Sequence, residues 1–361
     1  MTTFSNTLGS TYGSTYDSTI SFFQSSVAYS TASISKEPVS EKLFPLDQSP
    51  YVPYQEVSRE TVLKRLEAQT ISIETLDNVK LDAVWSVAEK EDGPTAILFH
   101  GNGGTLNAMV DFAKWYHDRG INTLLVTIRG YPGSEGSTEK TGELGLYLDV
   151  EAAVRYVTQT KGVSKDIAIA HGYSLGGSLA AAAGHFFGVN VALDHTFTRP
   201  GAVGAHITDK ICESTLTSIP EPIRPSIPHF LPEGFVQGAL PSGLQHEIAE
   251  DKRLPGSKPL VTDGLNSLEK VKKLDKELFI FFGEDDNLMP VSFSNELYEA
   301  KYGVSPLEHE REDRKLYQEA KANQIAKIPG GHWGVFGEYE DASEKYAQFL
   351  YKIGLLNKKH L

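Results

Sequence analysis

The chain has 361 residues, 40% of them hydrophobic and 22% charged, and a formal net charge of −13. That is ordinary globular material, enough for one large domain with insertions or two modest ones. The acidic balance argues against a nucleic-acid partner, which needs a basic face, and no apolar run approaches the ~20 residues of a membrane span. The single cysteine, Cys212, cannot form an intramolecular disulfide and reads as a small buried hydrophobe. Metal-ligand spacing is absent, because His246-Glu247 and His309-Glu310 lack the second histidine of H-E-x-x-H. The glycine runs match neither the dinucleotide-binding nor the phosphate-loop pattern, so neither a metal nor a cofactor is expected.

Residues 1 to about 50 differ from the rest. Eighteen of the first forty are Ser or Thr, no Lys or Arg precedes Lys36, and the tandem Ser10-Thr-Tyr-Gly, Ser14-Thr-Tyr-Asp suggests low complexity. Such a segment buries too little apolar surface to offset its ordering entropy and reads as a disordered leader. It lacks the charged and apolar regions of a secretory signal and the arginines of a mitochondrial transit peptide. Two readings stay open: a flexible tail, or the leader of a type III secreted bacterial effector, which such segments resemble. The expected location is cytoplasmic, or exported without a Sec signal.

Order is expected from about residue 56. Val57–Leu66 has helical character, and Glu67–Glu74 and Val79–Ser86 alternate like two paired strands with Asp77-Asn78 near the turn. Thr95–His100 reads as a short buried strand. Thr105–Arg119 has helical spacing, with Met109, Phe112, Ala113 and Tyr116 on one face and Gly120 as its stop. Asn122–Ile128 is the next strand and Gly142–Thr160 the next helix. Ile167–Gly172, Val189–Leu193, Glu277–Phe282 and Gln324–Ile328 complete the strands, and His332–Tyr351 is a loop and a closing helix. Strands alternating with helices imply a largely parallel sheet.

Two stretches break the rhythm. Residues 196–262 carry nine of the eighteen prolines and fall between the sixth and seventh strands. They read as a lid, and the core is then 51–195 with 263–361. Residues 291–325 form a charged excursion that includes Glu308–Lys315, most simply a solvated helical face.

Five motifs occur in order: His100-Gly-Asn-Gly-Gly104, Arg129-Gly-Tyr-Pro-Gly-Ser-Glu-Gly136, Gly172-Tyr-Ser-Leu-Gly-Gly177, Gly283-Glu-Asp-Asp286 and Gly330-Gly-His332. The third follows an apolar run and precedes an Ala-rich segment, so Ser174 stands on a strand–turn–helix elbow. Together they resemble the α/β-hydrolase superfamily and are most similar to the Bem46 and serine aminopeptidase-like (S33) branch, over roughly residues 67 to 352. Pro132 replaces the usual glycine of the second motif, and the lid is longer and richer in proline than is usual there, which leaves the substrate open.

The resemblance implies an α/β-hydrolase fold with a mostly parallel eight-stranded sheet and an acyl-transfer site. A serine hydroxyl needs a histidine base, and the histidine a carboxylate that fixes its tautomer. In this fold the chain order is Ser, acid, His, which gives Ser174, Asp286 and His332. Glu284 and Asp285 rival Asp286 in the same loop, and Asp194, after the sixth strand, is the outside candidate. His100, His171 and His195 read as residues that pack or bond locally. The N–H groups of Leu175 and Asn102 are the expected oxyanion donors. The expected substrate is a carboxylester or thioester, lipid-linked in one version because the family it resembles includes deacylases of lipidated proteins, and Ile227–Phe235 is apolar enough to line an acyl channel. A small-peptide hydrolase is the alternative, with Glu221, Glu233 or Glu247 to hold a substrate amine. A secreted effector using the fold mainly to bind a host protein is a third reading.

Overall fold

The computed structural model describes residues 57–136, 138–206, 254–303 and 324–361, with backbone only for 138–141. The leader, most of the expected lid with Cys212, and the Glu308–Lys315 run lie outside the described residues. One compact unit comprises 45–200 and 241–361. Residues 201–206 are helical and belong to a second unit with 1–44 and 207–240.

The first unit is built on one eight-stranded sheet. Its strands are β1 (Gln69–Glu74), β2 (Lys80–Ser86), β3 (Thr95–Phe99), β4 (Asn122–Val126), β5 (Ala168–Tyr173), β6 (Asn190–Asp194), β7 (Leu278–Gly283) and β8 (Ile325–Ile328). The order is β1-β2-β4-β3-β5-β6-β7-β8. β2 runs antiparallel to β1 and β4, and every other pair is parallel. All eight strands fall where the sequence pattern puts them, within a residue or two. β3 to β6 are buried at every position, as parallel strands covered on both faces must be. β1, at the edge, buries only Ile73.

The helices are α1 (Arg59–Leu66), α2 (Val110–His117), α3 (Thr138–Arg155), α4 (Leu175–Ala182), α5 (Ser267–Val271), α6 (Val291–Tyr302) and α7 (Glu340–Lys352). Ser58 caps α1 by accepting the Thr61 N–H, and Glu67 closes it in a left-handed conformation (φ 48°). The helix expected over 105–119 begins as a 3₁₀ turn, Leu106–Met109, before α2. α3 starts four residues ahead of the expected Gly142, where the backbone leaves helical geometry (φ 54°, ψ −147°). Both α3 and α4 end in a π-turn, at Tyr156–Thr160 and Ala183–Phe187. α6 buries Phe293, Leu297 and Tyr298, so the start of the charged excursion is a packed helix. At the ends of the expected lid, Phe197, Leu254 and Leu260 are buried. No helix of the described residues is long and apolar enough to cross a membrane.

On one face of the sheet, Phe112, Trp115, Phe279, Phe281, Phe336 and Tyr346 form an aromatic cluster with ring centroids 4.5 to 5.9 Å apart. Burying each such ring stabilises the fold by roughly 1.5–3 kcal/mol. Across the sheet, α3 meets the segment before α5. There Glu143 accepts the N–H groups of Asp263, Gly264 and Leu265, and buried Lys270 pairs with Asp263 at 2.5 Å.

The turn between β5 and α4 is the tightest place in the fold. Ser174 sits at φ 53°, ψ −115°, outside the ordinary regions for a side-chain-bearing residue. Three neighbours have no room for a Cβ. It would meet the Gly176 carbonyl oxygen at 1.9 Å from Gly172, the Phe99 carbonyl oxygen at 2.1 Å from Gly176, and the Thr196 side chain at 2.4 Å from Gly177. Backbone atoms of β3 cannot yield to a methyl group. Gly176→Ala is therefore expected to cost roughly 3 kcal/mol or more, whereas Gly104→Ala, whose Cβ would lie 3.4 Å from Ala108, should leave stability nearly unchanged. Urea denaturation of the two variants beside the wild type checks this, and equal midpoints for all three would contradict it.

Candidate active site

Five loops at the C-terminal ends of the parallel strands bring the motifs together. The elbow lifts Ser174 from the end of β5, where the residue is 7% exposed. Its backbone is clamped from the neighbouring strand end: Ser174 N–H donates to the Asp194 carbonyl (2.8 Å), and Thr196 Oγ1 donates to the Ser174 carbonyl (2.7 Å).

The loop after β7 presents Asp286, and the loop after β8 presents His332, each 6% exposed. His332 Nδ1 and Asp286 Oδ2 are 2.8 Å apart, and the other carboxylate oxygen accepts the N–H groups of Leu288 (2.9 Å) and Met289 (2.8 Å). Burial opposes ionisation of Asp286, but the hydrogen bond and charge of His332 and the Met289 N–H outweigh it and hold the carboxyl below its usual range. An ionised Asp286 accepts from Nδ1–H, which leaves Nε2 of His332 as the ring's basic nitrogen. Tyr173, next to the serine, donates its hydroxyl hydrogen to the His332 carbonyl, which ties the His332 loop to the elbow.

The rivals in the acid loop are placed elsewhere. Glu284 is exposed and pairs with Lys327 at 2.9 Å, and Asp285 is exposed. Asp194 is buried but bonds two other imidazoles, His171 Nε2 at 3.2 Å and His195 Nδ1 at 2.5 Å. Of the four candidate acids it is Asp286 that the fold brings to His332.

The loop after β3 lies against the elbow, since a Cβ on Gly101 would stand 3.2 Å from that of Ser174. This puts Asn102 beside the serine. The Tyr131 hydroxyl donates to Asn102 Oδ1 (2.7 Å) and fixes that side chain. Leu175 opens α4, so no carbonyl of its own helix can accept its N–H. His100 is structural. Its Nδ1–H donates to the Gly101 carbonyl (2.8 Å) and its Nε2 accepts the Ile128 N–H (3.1 Å), bridging the loops after β3 and β4. Below the second loop, the fully buried Arg129 is held between Asp149 (2.8 Å) and Asp77 (2.6 Å).

Sequence reasoning did not single out Tyr131, Tyr173, or the exposed Trp333, whose ring stands edge-on to His332 at 4.8 Å. The position of Tyr131 and Tyr173 inside two of the motifs was the available signal. No group of three or more His, Cys, Asp or Glu side chains among the described residues is placed to hold a metal ion.

This sheet, elbow and loop arrangement define an α/β-hydrolase. The chain belongs to the alpha/beta hydrolase family, whose model matches residues 96–349. It is 27% identical to the protein bem46 of Schizosaccharomyces pombe over 228 residues, 62% of each chain. It is 34% identical over 90 residues, 25% of this chain, to a multifunctional-autoprocessing repeats-in-toxin of Vibrio cholerae, of which it spans 2%. The chain thus spans less than two thirds of the length of these relatives. The fold of a Pyrococcus furiosus esterase superposes with a TM-score of 0.55 at 19% identity, covering 84% of this chain and 97% of that one.

His100 gives a pH signature of this architecture. Burial pushes its pKa down from 6.5 to about 4, against the opposing hydrogen bond to Gly101. The folded chain therefore declines a proton that the unfolded chain accepts. The associated stability is complete above about pH 6.5 and is lost as pH falls toward about 4, a loss of about 3 kcal/mol. Urea unfolding at pH 7 and pH 4.5 should show this loss in the wild type and a smaller one in His100→Asn; identical losses would refute it.

Proposed function

We propose that the protein is a serine hydrolase that cleaves a carboxylester or thioester through an acyl-enzyme intermediate. The observation that carries this reading is the buried Asp286–His332 pair, tied through Tyr173 to the strained elbow that presents Ser174. Ser174 Oγ attacks the acyl carbonyl as His332 Nε2 takes its proton. Asp286 holds the ring in the Nδ1–H tautomer and stabilises the imidazolium. The N–H groups of Leu175 and Asn102 receive the developing oxyanion, a contribution of about 10²–10³ in turnover for each donor. His332 returns the proton to the leaving group, the acyl group stays on Ser174, and water activated by the same imidazole releases the acid. Every group in this scheme is a protein group, so no cofactor is called for.

The ester reading is favoured by the esterase structural neighbour and by the apolar Ile227–Phe235 stretch of the expected lid. The match to part of a Vibrio toxin favours a second proposal, that this hydrolase module acts after export behind the Ser/Thr-rich leader. Residues 1–40 fused to a reporter should then direct its export from a bacterium with a type III system. Retention of the fusion would leave the leader as a tail.

Labelling with a fluorophosphonate tests the nucleophile. Wild type is expected to label and Ser174→Ala not at all. Asp286→Asn should keep its fold while turnover of p-nitrophenyl esters drops about 10⁴-fold, because the imidazole then adopts the wrong tautomer. Folded wild type that fails to label, or Asp286→Asn with undiminished turnover, would sink this reading.

A further inference from the structure

A second carboxylate–imidazole pair lies beside Asp286 and His332, and its proton positions can be read from its partners. Asp194 is fully buried. Burial raises its pKa, but hydrogen bonds from His171 and His195 outweigh this and keep the carboxyl below its usual range. An ionised carboxylate only accepts, so both rings donate to it. His171 gives Nε2–H to Asp194 Oδ2 and takes the Tyr116 hydroxyl hydrogen at Nδ1 (2.9 Å). The Tyr116 oxygen in turn accepts from the Tyr346 hydroxyl. One directed chain thus runs from α7 through α2 and β5 to the end of β6.

On the other side of Asp194 stands His195. Nδ1–H goes to Asp194 Oδ1 at 2.5 Å, so the uncharged ring carries a bare Nε2. That nitrogen is buried and meets no hydrogen-bond partner among the described residues. It lies toward the turn that bears Asp286: a Cβ built on Gly283 would stand 3.0 Å from Nε2 and 3.1 Å from Asp286 Cβ. The ring stands edge-to-face on His332, centroids 5.8 Å apart, and leans on Tyr173 at 5.6 Å. The backbone at His195 has φ 47°, which a side-chain-bearing residue keeps only when its surroundings impose it. The titratable groups facing it are Asp194 from β6, Tyr173 from β5, Asp286 from the loop after β7 and His332 from the loop after β8.

We propose that His195, oriented by Asp194, is a positioning residue for His332: its ring sets the plane of the base, and through it a second carboxylate faces the imidazolium that forms there during acyl transfer. The inference rests on the serine-hydrolase reading. With the donor from His195 removed, Asp194 keeps only the His171 Nε2–H in a dry site, so its carboxyl shifts toward the protonated form. The imidazolium on His332 then loses part of its stabilisation.

The test compares wild type, His195→Phe and His195→Asn on p-nitrophenyl acetate across pH, with thermal denaturation of each and fluorophosphonate labelling of the wild type. Phe keeps a flat ring but no donor; the Asn amide can replace Nδ1–H. The Phe variant is expected to lose about 10–100-fold in kcat at unchanged KM, with the acid limb of kcat/KM moved to lower pH, and the Asn variant to recover most of both. Wild-type kcat and acid limb in a folded Phe variant would overturn the proposal. ¹⁵N-histidine NMR of the wild type needs no altered core: a protonated Nδ1 and bare Nε2 on His195 at the pH of activity is expected, and the opposite tautomer overturns it. Wild type that does not label at Ser174 would instead show that the serine-hydrolase reading itself has failed.

Discussion

The fold turns on a single strained residue. Ser174 occupies a region of backbone space that costs a side-chain-bearing residue about 1–3 kcal/mol, and it holds there because its surroundings leave no alternative. Gly172, Gly176 and Gly177 let the elbow's own backbone, the end of β3 and the Thr196 side chain close around it to distances no Cβ survives. Asp194 and Thr196 then grip its N–H and carbonyl from the adjacent strand end. The strain is therefore offset by contacts from β3 and β6, the two strands that flank β5 in the sheet. Their loops carry Asn102 on one side and the Asp194–His195 pair on the other. Position and chemistry are set by the same close approach.

Parallel topology does the rest. Strands β3 to β8 all point one way, so their following loops gather along one edge of the sheet. Residues 100, 129, 174, 194, 286 and 332 are far apart in sequence and neighbours there. Each loop is tied to the next: His100 to the Ile128 N–H, Tyr131 to Asn102, Tyr173 to the His332 carbonyl, Asp286 to His332. A hydrogen bond in such a dry, crowded edge fixes geometry more firmly than one facing water.

Much of this was legible in the sequence, for physical reasons. Buried parallel strands such as β3 and β5 are apolar runs bounded by turn residues, whereas the antiparallel β1 and β2 were marked by alternation instead. An elbow demands glycines at fixed offsets, and Gly172 and Gly176 announced it. The family's chain order pointed to Asp286 and His332, which the fold brings within 2.8 Å of each other. What was not legible depends on tertiary contact. The 3₁₀ start at Leu106–Met109 follows from the cap that Thr105 Oγ1 gives the Asn107 N–H, a choice that periodicity cannot register. The π-turns closing α3 and α4 likewise leave no mark in a 3.6-residue pattern. Asp194 was legible only as a carboxylate after a strand, and nothing in one dimension says that His171 and His195 would both turn to it.

β5 joins these two levels. In a strand, alternate residues share a face, so His171 and Tyr173 both look toward the ring cluster that contains Phe112, at 5.6 and 5.8 Å. His171 roots Asp194 in that cluster, and Tyr173 carries its grip to the His332 loop. Between them, Gly172 is the position that must stay bare for the elbow to close. One six-residue strand thus anchors both carboxylate–imidazole pairs on its aromatic side while it delivers the serine at its tip. A core substitution among these rings would disturb the site without touching any residue of it, because the orientation of both pairs is borrowed from the packing beneath them.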